Sequence, residues 1–499
     1  MRSKLWLILI LQAALVILLA IAVKTELLPL GIRGEWLWGR MNPTVRIPWD
    51  WLALAGLGAV AYAGFVGLGL RALAARATRW AEARWLAALM AAAIAVQFVI
   101  PIGAPDEYDL TKWAYVNYLS SSTGYFKIAR DQAAQHPWEF LAGYPDWIRR
   151  QDSLHIGTHP PGLIVAQCIL LRAMDQNPAL ADLLLDHMPP SLSIGFRQLE
   201  GIEGRPVRRS ERASLYATAL LTLLACAGTV VPLYLLARAG LPAPAAWGAA
   251  ALWPLAPAAN LFQPVADTTY PFLSTSAWAL AAWAARSQQG LDWPRPRGLF
   301  LAAMSGVVMA FGMVFTLAFL PVGLITALII ILNRSISLRM RAVLILATGA
   351  GYLAFVLGGW LVTGADPFIV WKWNLHHHAR FYDEYPRTYS RWLWANPIEL
   401  AIAIGLPTVV WCAAGLFAPR SLPLSVWATL LVLTLVNLTG RNMGEVARLW
   451  MLFTPPLLIA AGHGLHRFGG GPIFLAASTA LLALQTLALQ SMIQVVYPV

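Results

Sequence analysis

Apolar residues fill run after run of this chain, and the polar residues collect between the runs instead of alternating within them. About 20 helical residues at 1.5 Å rise cross the ~30 Å hydrocarbon core of a bilayer, so the pattern predicts transmembrane helices. Runs at 5–23, 51–70, 85–102, 213–237, 243–261 and 265–285 read as spans. Residues 298–333 contain no charge across 36 positions. One helix of that length would reach about 54 Å, so two short helices turning near 316–321 are expected. Runs at 342–362, 397–417, 422–438, 449–465 and 472–495 bring the expected total to 13 spans. The fold class is therefore all-α, a polytopic transmembrane helical bundle. Its expected parts are three helices over 1–102, a polar region over 103–212, and a bundle over 213–499.

Basic loops orient the spans, because Lys and Arg concentrate on the cytoplasmic side. Arg2 and Lys4 put the amino terminus inside. Arg71, Arg76, Arg79 and Arg84 mark the next inner loop, so 103–212 follows the third helix on the outer face. The 160–174 segment is short for a span. If it lies on the surface, the loops carrying Arg238, Arg286 to Arg297, Arg334 to Arg341, Arg420 and Arg467 all fall inside. Only Arg205, Arg208, Arg209 and Arg212 are then misplaced. Arg2, Lys4 and Ala20-Ile21-Ala22 also resemble a signal peptide, but a 19-residue apolar run exceeds the usual signal core and favours a retained helix.

Composition agrees with a membrane protein: 59% of residues are hydrophobic and mean hydropathy is +0.61. The +12 net charge is accounted for by inner loops, and no basic stripe interleaved with aromatics points to nucleic acid. The 23 tryptophans suit interfacial anchoring. Cys168, Cys226 and Cys412 sit in apolar surroundings with no CxxC pair and read as small hydrophobes.

Acid, by contrast, is concentrated. Of 24 Asp and Glu, 13 fall within 103–212. Asp106, Glu107 and Asp109 stand at the end of a membrane helix, where partial desolvation raises carboxylate basicity and suits a general base. Ordinary solvated loop charge is the competing reading. His155 and His159 have metal-ligand spacing, but Pro160-Pro161 disfavour one helical turn there. His159 fits better at the start of the following helix, facing a phosphate. His376-His377-His378 cannot all face one ion. Around them Arg380, Tyr382, Arg387, Tyr389 and Arg391 combine aromatic and guanidinium groups that suit a sugar and a phosphate, although an interfacial aromatic belt explains them too. Arg448, preceded by Glu445, and Asp267 lie at outer helix ends and work in a site or form a bundle ion pair.

Together these features resemble the GT-C superfamily of integral membrane glycosyltransferases, near the protein O-mannosyltransferase and lipid A aminoarabinose transferase groups. Asp106-Glu107 is similar to the acidic pair that opens their large external loop. His159-Pro160-Pro161 is similar to the His-Pro-Pro or Lys-Pro-Pro motif that leads into a surface helix. Asp267, and Arg448 with Pro455-Pro456, match later positions in order. Two helices precede the acidic loop here, and Gly162-Leu163 stand where those families carry Leu and Lys.

The resemblance implies a polyprenyl-phosphate sugar donor and an inverting transfer to a glycan, lipid or protein acceptor. Asp106 or Glu107 would be the base, and His159, Arg448, Asp267, His376, Arg380, Tyr382 and Arg387 would hold sugar and phosphate. It implies an active site on the outer face of a bacterial inner membrane. Such families include members with and without a divalent metal, and no site here forces one. A secondary transporter and a lipid-linked polysaccharide ligase or polymerase remain alternatives.

Overall fold

Helix starts follow capping residues in the sequence. Thr78 accepts the Ala81 backbone N–H at 3.2 Å, Ser337 that of Met340 at 3.3 Å, and Asp366 those of Phe368 and Ile369 at 2.8 and 3.2 Å. Each cap satisfies backbone donors that would otherwise be orphaned. The computed structural model describes residues 2–42, 44–291, 293–418 and 422–494, and the chain is about 75% helical. Arg420 and the expected helix end at Val495 lie outside the described residues.

Among the described residues, seven helices are long and apolar enough to cross a membrane: Ser3–Lys24, Trp49–Ala75, Arg79–Ile102, Arg209–Arg238, Pro296–Met313, Leu338–Thr363 and Pro472–Gln490. Their outward faces carry exposed Leu7, Ile10, Leu57, Val60, Leu346 and Leu361. Such a surface suits lipid and not water. An eighth span arises if Tyr389–Ile404 and Leu406–Leu416, bent by 107°, count as one. At that bend Gly405 has φ +91°, the Leu406 N–H donates to Gln485 Oε1 (2.8 Å), and Gln485 Nε2 donates to the Ile402 carbonyl (3.0 Å). One side chain thus repairs the interrupted backbone ladder.

The other expected spans are shorter or interrupted. Over 243–261 the chain forms Ala243–Leu252, a 3-10 turn Trp253–Leu255 and Pro257–Leu261. Over 449–465 it forms Met451–Phe453 and Pro455–Arg467. Proline at 254, 257 and 455 removes the amide that would continue each run. The uncharged stretch divides into Pro296–Met313 and Phe319–Ile331, turning where expected.

The 103–212 region is mostly helical and contributes most of two apolar clusters separate from the main bundle core. Trp113, Tyr118, Phe126, Phe196 and Leu215 form one. Tyr125, Tyr144, Ile148, Ile164 and Cys168 form another, which also takes Val370 from the helix Pro367–Glu384. The expected surface segment is the helix Gly162–Gln176, 15 residues and so about 22 Å long. The stretch 363–396, left between the expected spans 342–362 and 397–417, holds Pro367–Glu384 and the start of Tyr389–Ile404. Its first helix docks on Pro137–Ile148 and His155–Thr158 and brings the two polar regions together.

Candidate active-site cavity

Five sequence-distant stretches line a cavity of about 710 Å³: 153–159, 267–270, 316–321, 375–382 and 436–453. The first is gripped by its backbone. Asn374 Nδ2 donates to the carbonyls of Gly157 (2.8 Å) and His159 (3.0 Å), Tyr144 Oη to His159 O (3.2 Å), and Tyr125 Oη to His155 O (3.3 Å). Ser153 bonds Glu384 on the docking helix. At Gly157 a Cβ would sit 1.8 Å from the Asp152 carbonyl oxygen, so the tight turn admits only glycine.

These bonds fix His155 and His159 on the cavity wall. His159 Nδ1 lies 2.9 Å from the His155 carbonyl oxygen, which only accepts, so Nδ1 carries the proton and Nε2 is left with a lone pair. Burial pushes the His159 imidazole down to about 4, with Arg448 adding to the effect and the His155 carbonyl opposing it. His155 is pushed to about 3 by burial, then by Arg448 and His159. Both rings are neutral at pH 7. The phosphate role expected of His159 needs a donor, whereas this tautomer presents an acceptor.

Opposite them, Arg448 on the one-turn helix Val446–Leu449 pairs with Glu445 at 2.7 Å and is 15% exposed. Burial works against its charge, but Asp267 and Glu445 outweigh burial and raise its pKa. Asp267 sits in the 3-10 turn Ala266–Thr269 that precedes the helix Tyr270–Ser287. Burial raises its carboxyl above the ordinary range, with Arg448 pulling the other way. Glu445 therefore pairs with a largely buried guanidinium that also lies in the field of the Asp267 carboxylate. Arg441 also lines the cavity, and among the described residues its side chain has no hydrogen bond or ion pair.

The expected site residues divide into two groups. His159, Asp267, Tyr382 and Arg448 line the cavity. Tyr382 Oη donates to the Arg441 carbonyl (3.1 Å) and accepts the Met443 N–H (2.8 Å), so it braces the 441–443 turn. Asp106 and Glu107 are exposed and do not line it. Glu107 has φ +73°, and its Oε1 accepts from Gln198 Nε2 at 3.1 Å. Asp109 caps the 3-10 helix Leu110–Ala114 by accepting the Thr111 N–H at 2.9 Å. His376 is exposed, and Arg380 makes an exposed i,i+4 pair with Glu384 at 3.0 Å. Such pairs contribute little. Arg387 is buried beside the cavity, not in its wall.

The three consecutive histidines point three ways. His376 faces out, His377 bonds the Ile148 carbonyl at 2.9 Å, and His378 faces the cavity, where burial lowers its pKa. Among the described residues no group of three or more His, Cys, Asp or Glu is placed to hold a metal ion. His155 and His378 were weighed from the sequence only as metal ligands, and Arg441 and Asn374 were not assigned. The i, i+4 spacing of Asn374 and His378 on a capped helix was the available signal.

No protein-family model matches the chain, and no curated protein matches it.

Proposed function

We propose that the chain is an integral membrane glycosyltransferase of GT-C type, transferring a sugar from a polyprenyl-phosphate donor to a hydroxyl acceptor with inversion at the anomeric carbon. One observation carries this reading: a single cavity joins a carboxylate of raised basicity, a buried arginine and an unpaired arginine to an apolar wall of Leu317, Leu320, Pro321, Leu375 and Phe453. Apolar wall, cation and carboxylate are what a lipid chain, a phosphate and a sugar hydroxyl require.

In this reading Asp267, rather than Asp106 or Glu107, takes the acceptor proton. The acceptor oxygen attacks the anomeric carbon from the face opposite the phosphate. The bond between that carbon and the phosphate oxygen breaks, and its electron pair leaves with polyprenyl phosphate. Arg448 and Arg441 stabilise that charge. Neutral His155 and His159 accept hydrogen bonds from sugar or acceptor hydroxyls. The full set of 13 spans, the bacterial inner membrane and an outward-facing site belong to the same reading.

The test is transfer from a polyprenyl-phosphate sugar by the protein in nanodiscs, together with lipid analysis of a deletion strain. Asp267→Asn is expected to lower kcat by about 100-fold or more, the scale of a lost general base. Asp106→Asn and Glu107→Gln are expected to retain at least a third of wild-type turnover. Full activity in Asp267→Asn would overturn the base assignment. A deletion strain that accumulates no polyprenyl-phosphate sugar would overturn the function.

A secondary transporter is the second reading, because the 107° bend resembles the interrupted helices that transporters use at substrate sites. Against it, Gln485 already takes the backbone groups that the bend releases. Solute uptake into proteoliposomes without sugar transfer would favour it.

A further inference from the structure

Between the first two long helices, Gly31–Ile32 pairs antiparallel with Trp36–Leu37, and Gly39–Arg40 pairs with Ile493–Gln494. Three side chains of this hairpin segment reach the 387–399 stretch, which packs against the turn that carries Arg448. Glu35 Oε2 accepts the Thr388 backbone N–H at 2.8 Å and the Trp392 Nε1–H at 2.7 Å, with Arg391 at 3.7 Å from its other oxygen. Trp36 faces the Arg387 guanidinium at 5.6 Å, and Trp392 and Phe381 complete the box at 5.2 and 5.9 Å. Arg387 is only 4% exposed, and its Nη2 lies 3.8 Å from Glu445, the partner of Arg448. Trp38 donates to Glu399 Oε1 at 3.1 Å, and the same oxygen takes the Ala447 N–H at 3.1 Å.

Both paths end on one strained turn. Gly444 has φ +89° and Glu445 φ +57°, a left-handed conformation that a non-glycine residue keeps only when its surroundings hold it. A Cβ at Gly444 would lie 2.4 Å from Arg387 Nη1 and 2.9 Å from the Trp392 ring, so turn and box are fitted to each other. Glu445 is held by Arg387 on one oxygen and by Arg448 on the other.

We propose that the 31–40 hairpin is a positioning element for Arg448. Trp36 acts through Arg387 and Glu445, and Trp38 acts through Glu399 and the Ala447 amide. Together they hold the 444–449 turn so that the Arg448 guanidinium faces the cavity. Only the identity of the ligand rests on the transferase reading; the positioning itself does not.

Trp36→Leu, Trp38→Phe, Arg448→Gln and each tryptophan change combined with Arg448→Gln test this in the full chain. Hydrogen exchange reports on the turn, and binding of decaprenyl phosphate in phosphatidylcholine nanodiscs reports on the arginine. Each tryptophan variant is expected to speed exchange at 444–450 by about three- to tenfold, as loss of one support implies, without changing exchange in Trp49–Ala75. Decaprenyl phosphate affinity is expected to fall by a similar factor, with no further fall in the Arg448→Gln background, a non-additivity that general loosening would not produce.

Unchanged exchange at 444–450 in Trp36→Leu overturns the proposal whatever the ligand, and this half-buried change keeps the test open if Trp38→Phe does not fold. Faster exchange with undiminished binding also overturns it, provided Arg448→Gln does weaken binding. If Arg448→Gln binds as wild type, the donor reading fails and exchange alone decides the positioning.

Discussion

A carboxyl that burial holds above its ordinary range loses its charge early as pH falls. Asp267 is such a group, so transfer is expected to fail as pH drops through a value above the ordinary carboxylate pKa of about 3.9. Because Arg448 opposes that rise, Arg448→Gln is expected to move the acid limb of kcat/KM further up, which a pH profile of residual activity reads. The cavity histidines act on stability instead. His159 is held at about 4 in the fold, below its unperturbed value of about 6.5. Between those values the unfolded chain binds a proton that the folded chain refuses, so stability is complete above about 6.5 and declines toward about 4. His159→Gln is expected to flatten that decline when thermal unfolding is followed between pH 4.5 and 7.5, a window chosen to span roughly this interval. At this scale the sequence was legible in part. Asp267, His159 and Arg448 could be found as polar residues at ends of apolar runs, and the fold brings them to one cavity. Asp106 and Glu107 looked stronger because they follow directly on an apolar run, at the edge of the membrane, as the acidic pair of the GT-C resemblance does. That position says nothing about burial, and they remain in solvent.

Element boundaries were most legible where apolar runs lacked proline. Ser3–Lys24 and Leu338–Thr363 match the runs 5–23 and 342–362 within a few residues. The helix Pro367–Glu384 was missed because its polar residues hide it from a search for apolar runs, although Asp366-Pro367 is a cap followed by a first-turn proline. The 107° bend depends on one residue outside both of its helices, and sequence separation conceals that dependence. Gln485→Leu would leave the Leu406 amide without its partner in an apolar surround, while the Ile402 carbonyl keeps only the Gly405 N–H at 3.2 Å. A loss of about 1–3 kcal/mol is expected, read as a lower unfolding midpoint in detergent. Gly405→Ala is expected to cost at least as much, because φ is +91° and the added Cβ would meet Leu482 at 2.0 Å.

Over the whole molecule, the regions 103–212 and 367–384 share a core and therefore lie on one side of the bundle. With the site outward, single cysteines at Arg208 and Arg380, both more than half exposed, are expected to react with an impermeant maleimide on intact cells. One at Arg339, in the first turn of Leu338–Thr363, is expected to react only after permeabilisation. Labelling of Arg208 and Arg339 from the same side would overturn the topology. The pairing of Gly39–Arg40 with Ile493–Gln494 bears on how such a chain is made. Synthesis delivers residues 31–40 to the translocation machinery more than 450 residues before their strand partner. Until Pro472–Gln490 is inserted, Gly39–Arg40 has no strand to pair with, although the 387–399 stretch and the 444–449 turn that the hairpin contacts are already made. A ribosome stalled before residue 472 would thus have made every wall of the cavity with the hairpin's last strand still open, and one of the first segments made would be among the last to reach its place.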